Sequence, residues 1–287
     1  MTYKSQKNIA LIGGDLRQLF AKESLEGLGY NCMAYGIDTY TESTDIKALK
    51  EAQVYLLPVP VMRGEYINMP FSDTKMTSDD FVKNLVEENC ICVGGLIPKQ
   101  MKEELSKKGC TVFDLCENER YAYLNAVPTA EGAVGIAISH TKTTLDGSSC
   151  AIIGYGRIGR CLSRRLRGFN ADISVFARKE KDLSEAEAEG YHAYDISGIN
   201  GVISSFDVIF NTVPRVVVNG DGVKNIKKDA VVIELASGKG GFDTESALKY
   251  GVNIITARSL PGRTAPVSAG KIIAKCLDSF LRAEEQV

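Results

Sequence analysis

Three glycines at fixed spacing, in Gly154-Tyr155-Gly156-Arg157-Ile158-Gly159, most constrain what this chain can fold into. They follow the apolar run Cys150-Ala151-Ile152-Ile153, which reads as a buried strand. They precede Arg160 to Phe169, where Leu162 and Leu166 recur at helical spacing. The order is strand, turn, helix, with a second strand next at Asp172 to Phe176. In that setting Gly154 makes the tight turn, Gly156 keeps a side chain out of the space beside the backbone, and Gly159 lets helix and strand approach closely. The helix N-terminus favours negative charge. The pattern implies a dinucleotide whose pyrophosphate rests on the turn, with Arg157 and Ile158 counted among its contacts. An ordinary glycine-rich strand-to-helix connection is the alternative.

The end of the second strand bears on which dinucleotide. A chain that selects NAD places an Asp or Glu there, roughly 20 residues past the motif, to accept hydrogen bonds from the ribose 2′-hydroxyl. Here Ile173-Ser174-Val175-Phe176 runs into Ala177-Arg178-Lys179. A guanidinium and an ammonium at that turn pair with a 2′-phosphate, so NADP is favoured over NAD. The competing reading is a solvated basic turn.

With 287 residues the chain is long enough for two α/β domains with separate cores. A formal net charge of −2, with both signs interspersed, gives no electrostatic footprint for nucleic acid. Arg164-Arg165-Arg167 is a local cluster that reads as a solvated helix face or a phosphate helper. The eight cysteines contain no Cys-x-x-Cys pair and read as reduced core thiols, Cys90-Ile91-Cys92 alternating in a buried strand. The two histidines, His140 and His192, are far apart and lack metal-ligand spacing, so no metal site is expected. Met1-Thr2-Tyr3-Lys4 leads straight into a strand and no apolar run reaches membrane-spanning length, so the expectation is a cytoplasmic protein without a membrane anchor.

The N-terminal region alternates strands at Asn8 to Ile12, Asn31 to Tyr35, Val54 to Leu57, Ile91 to Val93 and Thr111 to Phe113 with helical patterns that include Asp79 to Glu88 and Pro98 to Lys108. From Ser149 the scheme repeats, with strands near 150–153, 172–176, 191–194, 207–210, 230–235 and 252–256. Such βα repetition predicts an α/β protein of two doubly wound parallel-sheet, Rossmann-like domains joined by interdomain helices. Pro128, with Glu131 in the first turn after it, reads as a helix start. The final helix, from about Pro266, is expected to cross back to the first domain. Residues 1–127, completed by 266–287, would form one domain and 128–265 the dinucleotide-binding one, with a ligand cleft between them. The broken segment Pro58 to Lys75, with its three prolines and Gly64, is a ligand-contacting loop by length and position.

Several segments together carry a family resemblance. Ile12-Gly13-Gly14-Asp15-Leu16-Arg17-Gln18, Asn125-Ala126-Val127-Pro128-Thr129-Ala130-Glu131-Gly132, the Gly154 motif, Asn211-Thr212-Val213-Pro214, Leu235-Ala236-Ser237 and Leu260-Pro261-Gly262-Arg263-Thr264-Ala265-Pro266-Val267-Ser268-Ala269-Gly270, in this order, resemble the A subunit of dipicolinate synthase over essentially the whole chain. The resemblance implies a pyridine-nucleotide oxidoreductase that converts a dihydrodipicolinate-type precursor to dipicolinate in sporulation. It also implies, as partner, the flavoprotein-like B subunit of that synthase. A homo-oligomer is expected as well. The architecture is similar to that of D-2-hydroxyacid dehydrogenases, which use an Arg after the fifth strand of the cofactor domain and a late His. Here that strand runs into Ala236-Ser237-Gly238-Lys239-Gly240-Gly241 without an Arg, and no His follows His192. A 2-hydroxyacid reductase is therefore the second enzymatic reading, and a non-catalytic NADP-binding regulatory subunit the reading from another class.

Aromatising a dihydropyridine dicarboxylate needs a hydride acceptor, a proton acceptor and cations for two carboxylates. Asn211, Thr212, Val213 and Pro214 follow the fourth strand of the cofactor domain, and Leu235, Ala236 and Ser237 the fifth; both groups are cofactor candidates, with plain strand-end turns as the alternative. Glu131 is the candidate proton acceptor, or merely a helix-capping carboxylate, and Asp15 carries the same ambiguity at the first βα turn. Gly14, Arg17, Arg263 and Ala265 are the candidate contacts of a small dicarboxylate substrate, Ala265 through the start of the final helix.

Overall fold

Short β-branched and aliphatic runs bounded by glycine or polar turns become parallel strands, and the amphipathic stretches between them become the covering helices. The computed structural model describes residues 7–286, so the opening Met1 to Lys4, read above as leading into a strand, lies outside the described residues. In chain order the first elements are β1 (Asn8–Ile12), α1 (Leu16–Gly27), β2 (Asn31–Tyr35), β3 (Val54–Leu56), β4 (Met62–Arg63), β5 (Tyr66–Ile67), α2 (Ser78–Asp80), β6 (Ile91–Gly94), α3 (Lys99–Lys107), β7 (Thr111–Asp114) and α4 (Glu119–His140). There follow β8 (Ser149–Ile153), α5 (Arg157–Arg167), β9 (Asp172–Ala177), α6 (Glu180–Ala188), β10 (His192–Asp195), α7 (Ile199–Val202), β11 (Val208–Asn211), α8 (Gly220–Lys224), β12 (Val231–Glu234), α9 (Thr244–Tyr250), β13 (Ile254–Thr256), α10 (Leu260–Thr264) and α11 (Pro266–Glu284).

Two compact units result, one ending at Asn125 and resuming at Ala265, the other spanning Ala126 to Thr264. In the first, five parallel strands run in the order β2-β1-β3-β6-β7. Strand alternation sends Ala10, Ile12, Tyr55 and Cys92 to one face and Ile9, Leu11, Val54, Leu56 and Val93 to the other. The latter face is covered by Ala21 and Leu25 of α1 and by Ile273, Leu277 and Leu281 of α11. A Cβ on Gly270 would sit 2.6 Å from the Arg17 carbonyl oxygen, so glycine lets α11 lie directly on α1.

The second unit is a six-stranded parallel sheet in the order β10-β9-β8-β11-β12-β13, with apolar clusters on both faces. Both sheets are doubly wound. Strand order reverses between β1 and β3 in one and between β8 and β11 in the other, and ligand crevices in open α/β sheets lie outside the carboxyl ends of strands at such points.

Two expectations are corrected. The helix expected to start at Pro128 starts at Glu119, because the Asn118 side chain accepts the Tyr121 N–H at 2.9 Å and caps it there. Pro128 lies inside α4, where it forgoes one backbone hydrogen bond, and Glu131 is mid-helix rather than in a first turn. The helix expected over Asp79 to Glu88 is one turn capped by Thr77, continued by a wide turn over Phe81–Leu85. Phe81, Val82 and Leu85 of that wide turn are buried in the core.

Candidate dinucleotide site

The turn after β8 has three glycines with three different surroundings. Gly154 has φ +95°, a conformation that L side chains rarely adopt, and its N–H donates to the Phe176 carbonyl at 2.8 Å. A Cβ on Gly159 would collide with the Gly154 carbonyl oxygen, so α5 can lie this close to β8 only as glycine. Gly156 differs. It is the N-cap of α5 in an extended conformation, and a Cβ there would meet nothing within 4 Å. Open space directly above a helix N-terminus with no side-chain cap is what an anionic group on the first amides requires. Arg157 is the first residue of α5, and Ile158 packs partly buried against the core.

Beside this turn lies a cavity of about 340 Å³, entirely within the second unit. Gly154 and Tyr155 form one wall, Ala177, Arg178 and Lys179 at the end of β9 another, and Val213, Pro214 and Arg215 after β11 a third. Arg178 and Lys179 are exposed, and Lys179 is the N-cap residue of α6 without a side-chain cap bond. Arg215 is a third cation on the same cavity, not foreseen from sequence although it directly follows the Asn211 to Pro214 segment. One acid, Asp182 of α6, also lines it. Its Oδ1 accepts from Arg160 Nη2 at 2.8 Å, and Arg160 Nε and Nη2 donate to the Glu185 carboxylate at 2.7 Å each. Further along α5, Arg164 is engaged with Glu189 at 2.7 Å, Arg165 with Glu131 at 2.9 Å and Arg167 with the Glu189 carbonyl.

The loops after β11 and β12 are fixed by a buried polar pair. Asn211 Nδ2 donates to Glu234 Oε1 at 2.7 Å and to the Val213 carbonyl at 2.9 Å, while Asn211 Oδ1 accepts the Val213 N–H at 3.1 Å. Glu234 also accepts the N–H groups of Ala236 (2.8 Å) and Gly241 (2.7 Å). Asn211 is therefore a scaffold for the loop rather than a lining residue, and its partner Glu234 could not be foreseen because strand pairing brings the two together. Thr212 packs over Gly154 and donates to the Ile153 carbonyl at 3.0 Å. Leu235 and Ala236 are buried, whereas Ser237 is exposed.

The residues expected to bind substrate or to take the proton fall elsewhere. In the first unit Asp15 caps α1, accepting the Arg17 N–H at 3.0 Å, and its carboxylate takes Arg17 Nε and Nη2 at 2.8 Å each. Arg17 Nη2 also donates to the Val59 carbonyl, and the residue is only 6% exposed. The Gly14 N–H is taken by the Asn68 carbonyl at 2.8 Å. Ala265 is the N-cap of α11. In the second unit Arg263 is exposed in α10, and Glu131 is 60% exposed and paired with Arg165. A second cavity, of about 250 Å³ and within the first unit, is lined by Arg63, Tyr66, Met69 and Lys75 among others, with Asp73 at its wall. Among the described residues no group of three or more His, Cys, Asp or Glu side chains could hold a metal ion, and no helix is long and apolar enough to cross a membrane.

A doubly wound unit with a glycine turn, an uncapped helix N-terminus and a cationic cavity at its strand ends defines a dehydrogenase-type dinucleotide-binding protein. Residues 130–249 match the family model of the D-isomer specific 2-hydroxyacid dehydrogenase NAD binding domain, and residues 8–116 match that of the N-terminal domain of the dipicolinate synthase A subunit. Along its length the chain is similar to the dipicolinate synthase A subunit of Bacillus subtilis, with 27% identity over 96% of this chain and 97% of that protein. The crystal structure of the dipicolinate synthase A subunit from Bacillus halodurans superposes with a TM-score of 0.87 at 28% identity, covering 96% of this chain and 98% of that one. Glyoxylate reductase of Pyrococcus furiosus is 29% identical over 110 residues, 37% of this chain and 31% of that protein. The resemblance to the dipicolinate synthase A subunit read from the sequence therefore holds, and the chain is an oxidoreductase-type subunit with a nicotinamide-dinucleotide-binding domain.

Proposed function

We propose that the chain is the dehydrogenase subunit that oxidises a dihydrodipicolinate-type precursor to dipicolinate in sporulation, with NADP as hydride acceptor. It would act in the cytoplasm as a homo-oligomer together with the flavoprotein-like B subunit of the synthase. The observation that carries the cofactor reading is the single cavity on which Arg178, Lys179 and Arg215 converge beside the Gly154 turn. Three cations lining one cavity suit a 2′-phosphate, and the only acid among the described residues lining that cavity already has a guanidinium partner.

When bound, the nicotinamide supplies the hydride-accepting carbon. The protein's part is to seat the pyrophosphate on the α5 amides, with Gly156 leaving the space free, and to hold the Val213 to Arg215 loop in place through Asn211 and Glu234. For the dianionic substrate, Arg17 remains the proposed carboxylate ligand through Nη1, because Asp15 and Val59 occupy its other donors. Gly14, Arg263 and Ala265 remain proposed neighbours of the substrate, with Asp15 and Glu131 as the proton acceptors to compare. Arg63, on the loop after β3, is the next cation to consider.

Incubating the purified chain with NADP and freshly generated dihydrodipicolinate tests the proposal. Stoichiometric NADPH and dipicolinate support it. Nucleotide binding without turnover favours the regulatory reading, and NADPH-dependent reduction of glyoxylate or hydroxypyruvate favours the 2-hydroxyacid reading that the NAD binding domain match keeps in play.

Within that assay Arg17→Ala should raise the KM for the dicarboxylate with unchanged NADP affinity, whereas Glu131→Gln should mainly lower kcat. Losing a buried ion pair should also lower the melting temperature of the Arg17 variant. Parental kinetics in both variants would remove these residues from the site and direct the same test to Arg63→Ala.

A further inference from the structure

Asp182 raises a difficulty for any phosphate-binding reading of the cavity. It stands in the first turn of α6, just past the end of β9, and lines the same wall space as Arg178 and Lys179. A free carboxylate near that strand end accepts hydrogen bonds from ribose hydroxyls and repels a 2′-phosphate, which is how NAD is selected. Left to itself, Asp182 would oppose the neighbouring cations.

Arg160 removes that opposition by geometry. Its guanidinium is held from four directions: by Asp182 Oδ1 at 2.8 Å, by both Glu185 oxygens at 2.7 Å, by the Tyr155 carbonyl, and by the Tyr155 ring, whose centroid is 4.9 Å away. The Arg160 and Asp182 side chains are 19% and 21% exposed, so the pair is largely shielded from solvent screening. Only the planar five-donor fork of arginine can serve the two carboxylates and the carbonyl together, and a lysine would not. Arg160 itself does not line the cavity; it acts through Asp182.

We infer that Arg160 is the residue that positions Asp182 and thereby sets the cofactor preference of this domain, keeping the carboxylate turned into an ion pair so that Arg178, Lys179 and Arg215 face a phosphorylated ribose. The inference rests on the NADP reading above and adds the device that makes it compatible with an acid in the cavity.

Fluorescence titration with NADPH and NADH of four proteins tests it, with melting curves recorded in parallel. The parent should bind NADPH more tightly. Arg160→Met, which keeps the apolar stem over Tyr155, should cut the NADPH-to-NADH affinity ratio by about tenfold or more by exposing the carboxylate. Asp182→Asn alone should leave NADPH affinity within about twofold of the parent, because the carboxylate is already engaged by the Arg160 guanidinium and turned from the ligand. The double variant should recover most of the parental ratio, which a merely structural role for Arg160 does not predict. An unchanged ratio in Arg160→Met, no recovery in the double variant, or a roughly tenfold tightening of NADPH by Asp182→Asn alone would each overturn the inference. The last decides the matter even if Arg160→Met does not fold, since it reports whether Asp182 faces the ligand in the parent. Equal affinities for the two nucleotides in the parent would instead bring down the NADP reading and this inference with it, whereas a preference for NADPH combined with any of the three results above would bring down the inference alone.

Discussion

Gly156→Val is expected to abolish nicotinamide-dinucleotide binding in a chain that still folds. The backbone at Gly156 is extended, with φ −82° and ψ −159°, a negative φ open to residues other than glycine, and the space a Cβ would enter holds no protein atom within 4 Å. The cost to the apo protein is therefore the difference between glycine and a poor N-cap residue, on the order of 1 kcal/mol, a melting shift of roughly 2–4 °C. A ligand pyrophosphate on the α5 amides would occupy the same volume as the two methyl groups. Gly159→Val gives the opposite pattern, because its Cβ would run into the Gly154 carbonyl oxygen; it should fail by misfolding, not by selective loss of binding. Titration of NADPH fluorescence together with thermal melting separates the two. Parental affinity in Gly156→Val would mean that the glycine turn serves only the chain.

That contrast between adjacent glycines shows what was legible in sequence. Strand, turn and helix follow from local rules: apolar β-branched runs, glycine where φ is positive, apolar residues at helical spacing. Each strand of both sheets accordingly lies where its run of residues places it, within about two residues. Helix starts were harder. Pro128 carries a start signal that loses to the Asn118 cap upstream, and the helix runs on through the proline at the loss of one backbone hydrogen bond. The same displacement moves Glu131 from a helix end into mid-helix, and its carboxylate meets Arg165, a partner 34 positions away in sequence that no local pattern indicates.

The site divides along the same line. Gly154, Arg178, Lys179, Val213 and Pro214 were legible because a strand end and the turn after it are contiguous in sequence, and all of them line the cavity. Arg160, Asp182 and Glu234 were not, because their significance lies in pairings across elements: α5 to α6, and β11 to β12. Arg160 is one of five arginines in α5, and Asp182 one of four acids in α6. Only their mutual distance shows that one engages the other. Arg17 is legible in position but not in its pairing. Its position on the first βα turn is a ligand position, yet most of its donors are already spent on Asp15 and Val59.

Arg178→Asp is expected to reverse or erase the preference for NADPH over NADH. In the parent, Arg178, Lys179 and Arg215 line one cavity, and a ribose phosphate among them would form charge-assisted hydrogen bonds that a plain hydroxyl cannot. Losing one well-made phosphate pair should cost about 1.5–3 kcal/mol, a tenfold to hundredfold weaker NADPH complex. The effect on NADH has the other sign, because a carboxylate at the strand end can accept from both ribose hydroxyls. Salt provides an independent check: these cations are exposed, so raising ionic strength should weaken NADPH more than NADH in the parent, and the difference should shrink in the variant. Fluorescence titration of both nucleotides at two salt concentrations reads all of this. Equal parental affinities would remove the 2′-phosphate from the cavity and leave Arg178 and Lys179 as a solvated turn. A parent that prefers NADPH while Arg178→Asp keeps the full ratio would assign the phosphate to Lys179 and Arg215, the two cations that remain.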